Sequence, residues 1–166
     1  MRNLATKYTS LSEEDLSWLE LLTLDWQMLA DLALGDVVLW VPTDDGNYLA
    51  VAHNRPAGSV TLFYRDVIGD FLRPDWRDVV DEAMLTGGPV ASKAPAWYEE
   101  AAMRLTAYAV SRRDGSAKSG TGRNTDTGVI FTGLPTKPFA VLTVHTSAAD
   151  VQGASRIGAA FREVAG

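Results

Sequence analysis

Cysteine is absent from this chain, and several kinds of site are excluded with it. Without thiols there is no disulfide framework and no metal site with thiolate ligands. Histidine is scarce, with two residues in 166. Acidic residues outnumber basic ones, giving a net charge of −6 and a pI near 4.8. This balance argues against nucleic-acid binding, because neutralising phosphates requires a basic face.

Long hydrophobic runs are missing too. The longest apolar run, Val37 to Val41, is far shorter than the roughly 20 residues of a membrane-spanning helix. The first ten residues, MRNLATKYTS, lack the apolar core of a signal peptide. We therefore expect a cytoplasmic protein without a membrane segment.

The chain has the length and composition of one domain, since 46% of its residues are hydrophobic. We expect residues 1–11 to form an N-terminal extension and residues 12–165 to form a single domain. Residues 115–128 are rich in glycine, serine and threonine, which predicts a flexible surface loop.

The clearest helix pattern lies near the N-terminus. Ser10 and Glu13 fit a capping box, and Gly35 fits a left-handed helix end. Between them one apolar stripe recurs at intervals of three and four residues, which predicts a single long helix. The stripe consists of Leu16, Leu19, Leu22, Trp26, Leu29 and Ala33.

A second apolar stripe lies beside the first and is formed by Trp18, Leu21, Met28 and Leu32. Two interpretations are open. The helix is either buried deep in its own domain, or its first stripe packs on a sheet while the second contacts the same helix of another subunit. The second interpretation, which we prefer, makes these four residues the candidate dimer interface.

Strand patterns follow the helix. Two strands flank the turn residues Asp44-Asp45-Gly46 and predict a hairpin. The last strand is nearly all apolar, so we expect it at the centre of the sheet. The predicted strands are 36–41, 48–53, 59–65, 103–112, a short one at 129–132, and 139–145; the predicted helices are a short one over 76–84 and a C-terminal one over 151–164.

This order of elements predicts an α+β fold, with a central antiparallel sheet of five to six strands. The N- and C-terminal helices are expected to pack on one face. The other face is then free to form a pocket under loops.

Catalytic motifs are largely absent. The sequence has no phosphate-binding loop ending in Lys-Ser/Thr, no GxGxxG, no HExxH and no GxSxG. Adjacent carboxylates such as Glu13-Glu14 are typical of solvated surfaces. His53 and His145 end two predicted strands and could share a metal ion if those strands were neighbours, but no third ligand is indicated. We expect no catalytic residues and no metal site, and the sequence identifies no cofactor.

Five residues are candidates for a small-molecule pocket, because aromatic rings with a few hydrogen-bond donors provide contact area and orientation. They are Trp40, His53, Arg55, Tyr64 and Arg104. Each also has a purely structural interpretation: Trp40 as a core residue, for example, and Arg55 as a brace for its own turn.

The segment that carries the long helix and the hairpin resembles a known family. The motifs are WQMLAD at residues 26–31, DVVLWV at residues 36–41, Asp44-Asp45-Gly46 and Arg55-Pro56, with AVLT at residues 140–143 similar to the family's last strand. They resemble the N-terminal GAF-type sensor domain of actinobacterial cytoplasmic sensor histidine kinases. The resemblance is firm over residues 16–70 and thin over residues 128–146. Residues 91–100 and 115–128 look longer than the family pattern.

The resemblance implies a regulatory GAF-like domain that couples a small-molecule or other signal to a kinase core absent from this chain. We expect it to form a homodimer through its terminal helices and to pass the signal along the C-terminal helix. The parent protein would be a protein-histidine kinase in a two-component phosphorelay, whose response regulator has an RNA-binding antiterminator output. The chain by itself is then not an enzyme. The alternatives are a stand-alone small-molecule-binding protein or small enzyme on a GAF/PAS-like scaffold, and a dimerisation domain without a ligand. The sequence leaves open whether the chain is part of a longer kinase.

Overall fold

The computed structural model describes residues 1–24, 26–58, 61–99, 101–112 and 137–148. The loop predicted at 115–128, the strand at 129–132 and the helix at 151–164 lie outside these ranges. The described helices are α1 (Arg2–Tyr8), α2 (Glu13–Thr23), α3 (Trp26–Ala33) and α4 (Arg77–Thr86), with a 3-10 turn (Pro74–Trp76) before α4. None of them is long and apolar enough to cross a bilayer.

The sheet contains six strands, all paired antiparallel. Their order is β2-β1-β6-β5-β3, and β4 pairs with β5 beside β3. The prediction that the apolar last strand lies at the centre is therefore confirmed. The strands are β1 (Asp36–Pro42), β2 (Tyr48–Asn54), β3 (Val90–Ala91), β4 (Ala96–Tyr98), β5 (Ala101–Val110) and β6 (Ala140–Ser147).

The single long N-terminal helix was a wrong prediction, because α2 and α3 are separate helices. At the end of α2 the Thr23 hydroxyl donates to the Glu20 carbonyl (2.8 Å). The Leu24 amide donates to the Leu21 carbonyl (3.2 Å), three residues back, so the last turn tightens. The apolar stripe continues through the break because both helices bury their apolar residues in the same core cluster.

The start of α2 also differs from the prediction. Its capping box uses Ser12 and Asp15: the Ser12 hydroxyl accepts the Asp15 amide (3.1 Å), and the Asp15 carboxylate accepts the Ser12 amide (3.3 Å). Ser10 instead donates its hydroxyl to the carboxylate of Asp44 in the hairpin turn. The segment expected to be an extension contains α1, which packs on β2 through the fully buried Ala5.

The junction between α3 and β1 depends on Gly35, for a reason that the sequence did not reveal. The left-handed residue is Leu34, with φ of 51°, and not Gly35. A Cβ on Gly35 would lie 2.5 Å from the carbonyl oxygen of His145 and 2.8 Å from Cγ2 of Thr146. Glycine therefore permits close packing of this junction against β6.

The strand predicted over residues 59–65 is not formed in its described part, residues 61–65. The Leu62 amide donates to the buried carboxylate of Asp36 (2.7 Å) instead of joining a ladder. Farther along, residues 67–72 run beside β2: the Ala50 amide donates to the Asp70 carbonyl (2.9 Å), and the Ala50 carbonyl accepts the Gly69 amide (2.8 Å). Residues 90–91 and 96–98, for which the sequence predicted no strand, form β3 and β4.

Each face of the sheet has its own core. On one face, here called the α2–α3 face, helices α1 to α3 cover Val37, Leu39 and Val51. On the opposite face, here called the α4 face, Val80 and Ala83 of α4 pack over Trp40 and Leu105. The expectation that one face would be free of helices is therefore corrected. The confirmed class is α+β with an antiparallel sheet.

Candidate functional site

A cavity of about 320 Å³ lies on the α4 face. Its walls come from β1, from residues 63–73, from the 3-10 turn and from β4. Most lining side chains are either aromatic or charged. The aromatic ones are Trp40, Phe63, Phe71, Trp76 and Tyr98, and the charged ones are Arg65, Asp70 and Arg73.

The aromatic wall is formed by rings that pack on one another. Phe63 is at its centre, with its ring centroid 4.7 Å from that of Tyr98 and 6.1 Å from that of Trp76. Trp40 meets Trp76 edge to face at 6.3 Å. Such offset and edge-to-face contacts are the favourable ones for aromatic pairs. Because Trp40, Phe63 and Trp76 are almost fully buried, this wall is preformed.

Two arginines line the cavity, and they differ in their partners. Arg65 forms an ion pair with Asp70 (2.7 Å), and its hydrogen bond to Asp70 raises the pKa of the Arg65 guanidinium. Arg73 lies over two rings, 5.7 Å from the centroid of Trp76 and 5.4 Å from that of Tyr98. Its nearest carboxylate oxygen belongs to Asp75 and is 3.9 Å away, which is too far for a hydrogen bond.

A buried polar network supports the cavity wall from below. The carboxylate of Asp36 accepts bonds from the Thr61 hydroxyl (2.7 Å) and the Leu62 amide (2.7 Å), and contacts Nε2 of His53 (3.2 Å). Burial raises the pKa of Asp36, but the bonds from His53, Leu62 and Thr61 together hold that pKa below its usual range. Asp36 thereby anchors the segment that positions Phe63.

His145 of β6 lies directly behind the aromatic wall. Its ring centroid is 4.9 Å from those of Phe63 and Trp76. Burial lowers the pKa of His145 to about 3, so the imidazole is neutral at pH 7. Its Nε2 is 2.8 Å from the Thr143 hydroxyl, which also accepts the indole N–H of Trp40 (2.7 Å). The cavity wall is thus in contact with the central strand.

The structure places one of the five sequence-predicted pocket residues, Trp40, in the cavity. His53 lies beneath the wall, bonded to Asp36 and edge to face with Phe63. Arg55 is exposed, and its carbonyl accepts the Gln27 side chain of α3. Tyr64 is 84% exposed and does not line the cavity. Arg104 is exposed and alternates with buried Met103 and Leu105, so it projects from the opposite face.

The lining residues that sequence reasoning missed come from segments without regular periodicity. Phe63 was assigned to a strand, and Arg73 precedes the helical turn that contains Trp76. Tyr98 and Trp97, for which no strand was predicted, belong to β4, in which Tyr98 is buried and Trp97 exposed. The Arg-Pro-x-Trp spacing of residues 73–76 was the one usable signal, because a proline at the first helical position predicts a turn that begins directly after Arg73 and contains Trp76.

The four predicted dimer-interface residues all lie on α2 and α3 with substantial exposure. Trp18 is 41% exposed, Leu21 60%, Met28 58% and Leu32 75%. Leu24 and Leu34 add to the same region, here called the α2–α3 apolar surface. An exposed apolar patch of this kind is typical of an interaction site.

A second cavity, of about 740 Å³, lies between these helices and strands β5 and β6. It is lined by Trp18, Leu29 and Leu32 on the helix side and by Tyr108 and Leu142 on the sheet side. The lining is mostly apolar and contains no ionisable group except the Tyr108 phenol. It therefore lacks the charged groups that would orient a polar ligand.

The two histidines flank β1, since His53 is on β2 and His145 is on β6. Nε2 of each ring contacts a protein partner, Asp36 and Thr143 respectively. In the described part of the chain, no group of three or more histidine, cysteine, aspartate or glutamate residues is arranged to hold a metal ion.

Comparison with known proteins identifies related sequences. A family model described as "Histidine kinase PdtaS, GAF domain" matches residues 1–118. The sensor histidine kinase PdtaS of Mycolicibacterium smegmatis is 29% identical over 167 residues, which cover 98% of this chain and 29% of that protein. The sensor histidine kinase PdtaS of Mycobacterium tuberculosis is 31% identical over 86 residues, covering 52% of this chain and 17% of that protein. The chain thus spans less than a third of the length of these curated relatives.

Among solved structures, one described as the sensor region of a sensor histidine kinase superposes on this chain with a TM-score of 0.54. The two are 22% identical, and the match covers 89% of this chain and 43% of the other. This likeness confirms the GAF-like fold expected from the sequence.

Proposed function

The chain belongs to the GAF domain family of the histidine kinase PdtaS, and we propose that it senses a signal for a cytoplasmic two-component histidine kinase. In this proposal the domain forms a homodimer, binds a small molecule in the cavity on the α4 face, and alters the activity of a kinase core. That core would autophosphorylate a histidine and pass the phosphoryl group to a response regulator. The regulator with an RNA-binding antiterminator output, implied by the family resemblance, is the proposed partner.

One observation carries the proposal: the cavity wall contacts β6, and β6 packs closely against Gly35, which lies between α3 and β1. Phe63 and Trp76 line the cavity, and both rings pack against His145 of β6. The carbonyl oxygen of His145 lies against Gly35, at the end of α3. A ligand that moves either ring therefore acts on an element that is in close contact with α3.

The second copy of the chain is proposed to cover the α2–α3 apolar surface. Met28 and Leu32 lie one turn apart on α3, and Leu21 lies on α2, so the exposed side chains form a strip across both helices. Pairing this strip with itself in a second copy gives a closed, isologous dimer. A ligand biases such a dimer only through different affinities for two helix arrangements.

The test is the oligomeric state. Sedimentation velocity at a protein concentration of about 50 µM, enough to populate a dimer with a micromolar dissociation constant, is expected to show a dimer. Met28→Glu is expected to give a folded monomer, because a charge cannot be buried unpaired in an apolar contact. Leu85→Glu is the matched control, since Leu85 is 87% exposed on α4 and lies away from this surface.

The wild-type chain and Leu85→Glu should therefore sediment alike, and urea unfolding should show Met28→Glu to be as stable as the wild-type monomer. A strictly monomeric wild-type chain would contradict the proposed sensor dimer. Unfolding of Met28→Glu would instead place Met28 in the core of the domain.

A further inference from the structure

We propose that the cavity on the α4 face takes a small organic carboxylate with a flat apolar body. This inference rests on the proposed sensing function and adds the chemical class of the ligand. It follows from two features of the cavity: its aromatic wall, and the guanidinium of Arg73, which has no hydrogen-bonded carboxylate among the described residues.

The aromatic wall selects a flat body. Trp40, Phe63, Trp76 and Tyr98 present ring faces and edges to the cavity. A volume of about 320 Å³ is at the lower end of the range for ligand cavities, so the body that fits is one ring or two fused rings. A flat ring stacks on such a wall without disturbing its edge-to-face contacts.

Arg73 supplies the charge that the ligand must complement. Its guanidinium is stacked over Trp76 and Tyr98. Asp75 is 3.9 Å away, and the guanidinium makes no hydrogen bond to any residue within the described ranges. The planar fork of an arginine matches a carboxylate with two parallel hydrogen bonds.

Arg65 cannot replace Arg73 in this role, because its charge is already paired with Asp70 at 2.7 Å. The cavity lining therefore has two positive charges against one negative charge. A cationic ligand would meet this excess of positive charge, and a neutral ligand would leave Arg73 without a hydrogen-bonded anion, since Asp75 is 3.9 Å away.

The experiment uses benzoate and 2-naphthoate as probes of one and two rings. Binding is followed by NMR through the indole N–H resonances of the five tryptophans of the intact chain. The expected result is saturable binding, at probe concentrations up to about 50 mM for ligands of this size, with shifts of the indole proton resonances of Trp40 and Trp76, whose side chains line the cavity. Benzamide and benzylamine, which have the same ring without the anion, are expected to bind at least about 10-fold more weakly.

Arg73→Gln is expected to weaken benzoate binding about 10-fold to 100-fold, because a hydrogen bond to a charged group is lost. Arg55→Gln is the matched control, since Arg55 is exposed beside α3 and does not line the cavity; it should bind benzoate like the wild type. Unfolding curves for both variants separate lost binding from lost structure.

Three results would each overturn the inference: no binding of either carboxylate, equal binding of benzoate and benzamide, or an unchanged affinity in folded Arg73→Gln. The outcome is independent of the sedimentation test. If the chain is a dimer but binds neither carboxylate, the proposed ligand class is refuted and the sensor dimer is not. If the chain is a monomer, the proposed sensor dimer is refuted whatever the cavity binds.

Discussion

Lowering the pH from 7 to 5 is expected to destabilise this domain through one buried side chain, His145. The ring is fully buried between the aromatic wall and the sheet. Burial lowers its pKa from 6.5 to about 3 in the folded state. In the unfolded chain the imidazole is solvated and takes up a proton near pH 6.5. The unfolded state therefore binds more protons between these two pH values, and stability falls as the pH falls.

The magnitude follows from linkage. Each pH unit below about 6.5 costs about 1.36 kcal/mol while the folded ring stays neutral. Going from pH 7 to pH 5 therefore removes about 2 kcal/mol of unfolding free energy, a large share of the roughly 5 to 15 kcal/mol of a typical domain. Asp36 affects the unfolding free energy only at lower pH. Because its pKa is depressed in the folded state, its stabilising contribution is lost only below about pH 4.

The assay is urea unfolding of the wild-type chain and of His145→Gln at pH 7, 6 and 5. Glutamine retains an acceptor for the Thr143 hydroxyl but does not titrate. The variant is expected to be less stable than wild type at pH 7, yet to lose less stability on acidification, by about 2 kcal/mol between pH 7 and 5. Parallel pH profiles for the two proteins, or a flat wild-type profile, would refute the assignment of a buried neutral His145.

Two further substitutions test the α3–β1 junction and the start of α2. Gly35→Ala is expected to cost about 1 to 3 kcal/mol of unfolding free energy, because the new Cβ would lie 2.5 Å from a main-chain oxygen of β6. Gly88→Ala, with open space around it, is the control in the same thermal or urea unfolding measurement, and equal stability of the two variants would contradict the close contact. Ser12→Ala should lower the unfolding free energy by about 1 kcal/mol through loss of the capping box, and Ser10→Ala should lower it less. If Ser10→Ala were the more destabilising substitution, Ser10 would be the N-cap of α2 after all.

Much of the sheet was predictable because its strands are short apolar runs separated by turn residues. The hairpin of β1 and β2 and the central position of β6 were confirmed, since β-branched and aromatic side chains specify these strands locally. The helix break between α2 and α3 was not predictable from periodicity, because both helices bury apolar residues in the same core. The strand predicted over residues 59–65 was wrong for residues 61–65, because the Leu62 amide donates to the carboxylate of Asp36, a residue distant in sequence.

The cavity was only partly predictable. Trp40 was identified from its place in a strand. Arg104 was also predicted to line the pocket. Side chains alternate between the two faces along β5, and the register of the strand places Arg104 on the face opposite the cavity. Phe63, Arg73 and Tyr98 come from three separate segments, and no pattern in the sequence predicts that they line the same cavity.

The sequence by itself determined the α+β class, the order of most elements and the family, because these depend on local periodicity, turn residues and motif likeness. It also identified the apolar side chains of α2 and α3 that exceed what one buried stripe requires. The tertiary structure alone decided that both faces of the sheet are covered, that Gly35 is required by contact with His145, and that Arg73 lies over Trp76 and Tyr98. These features depend on contacts between residues far apart in the chain, which strand register and packing determine and local sequence does not.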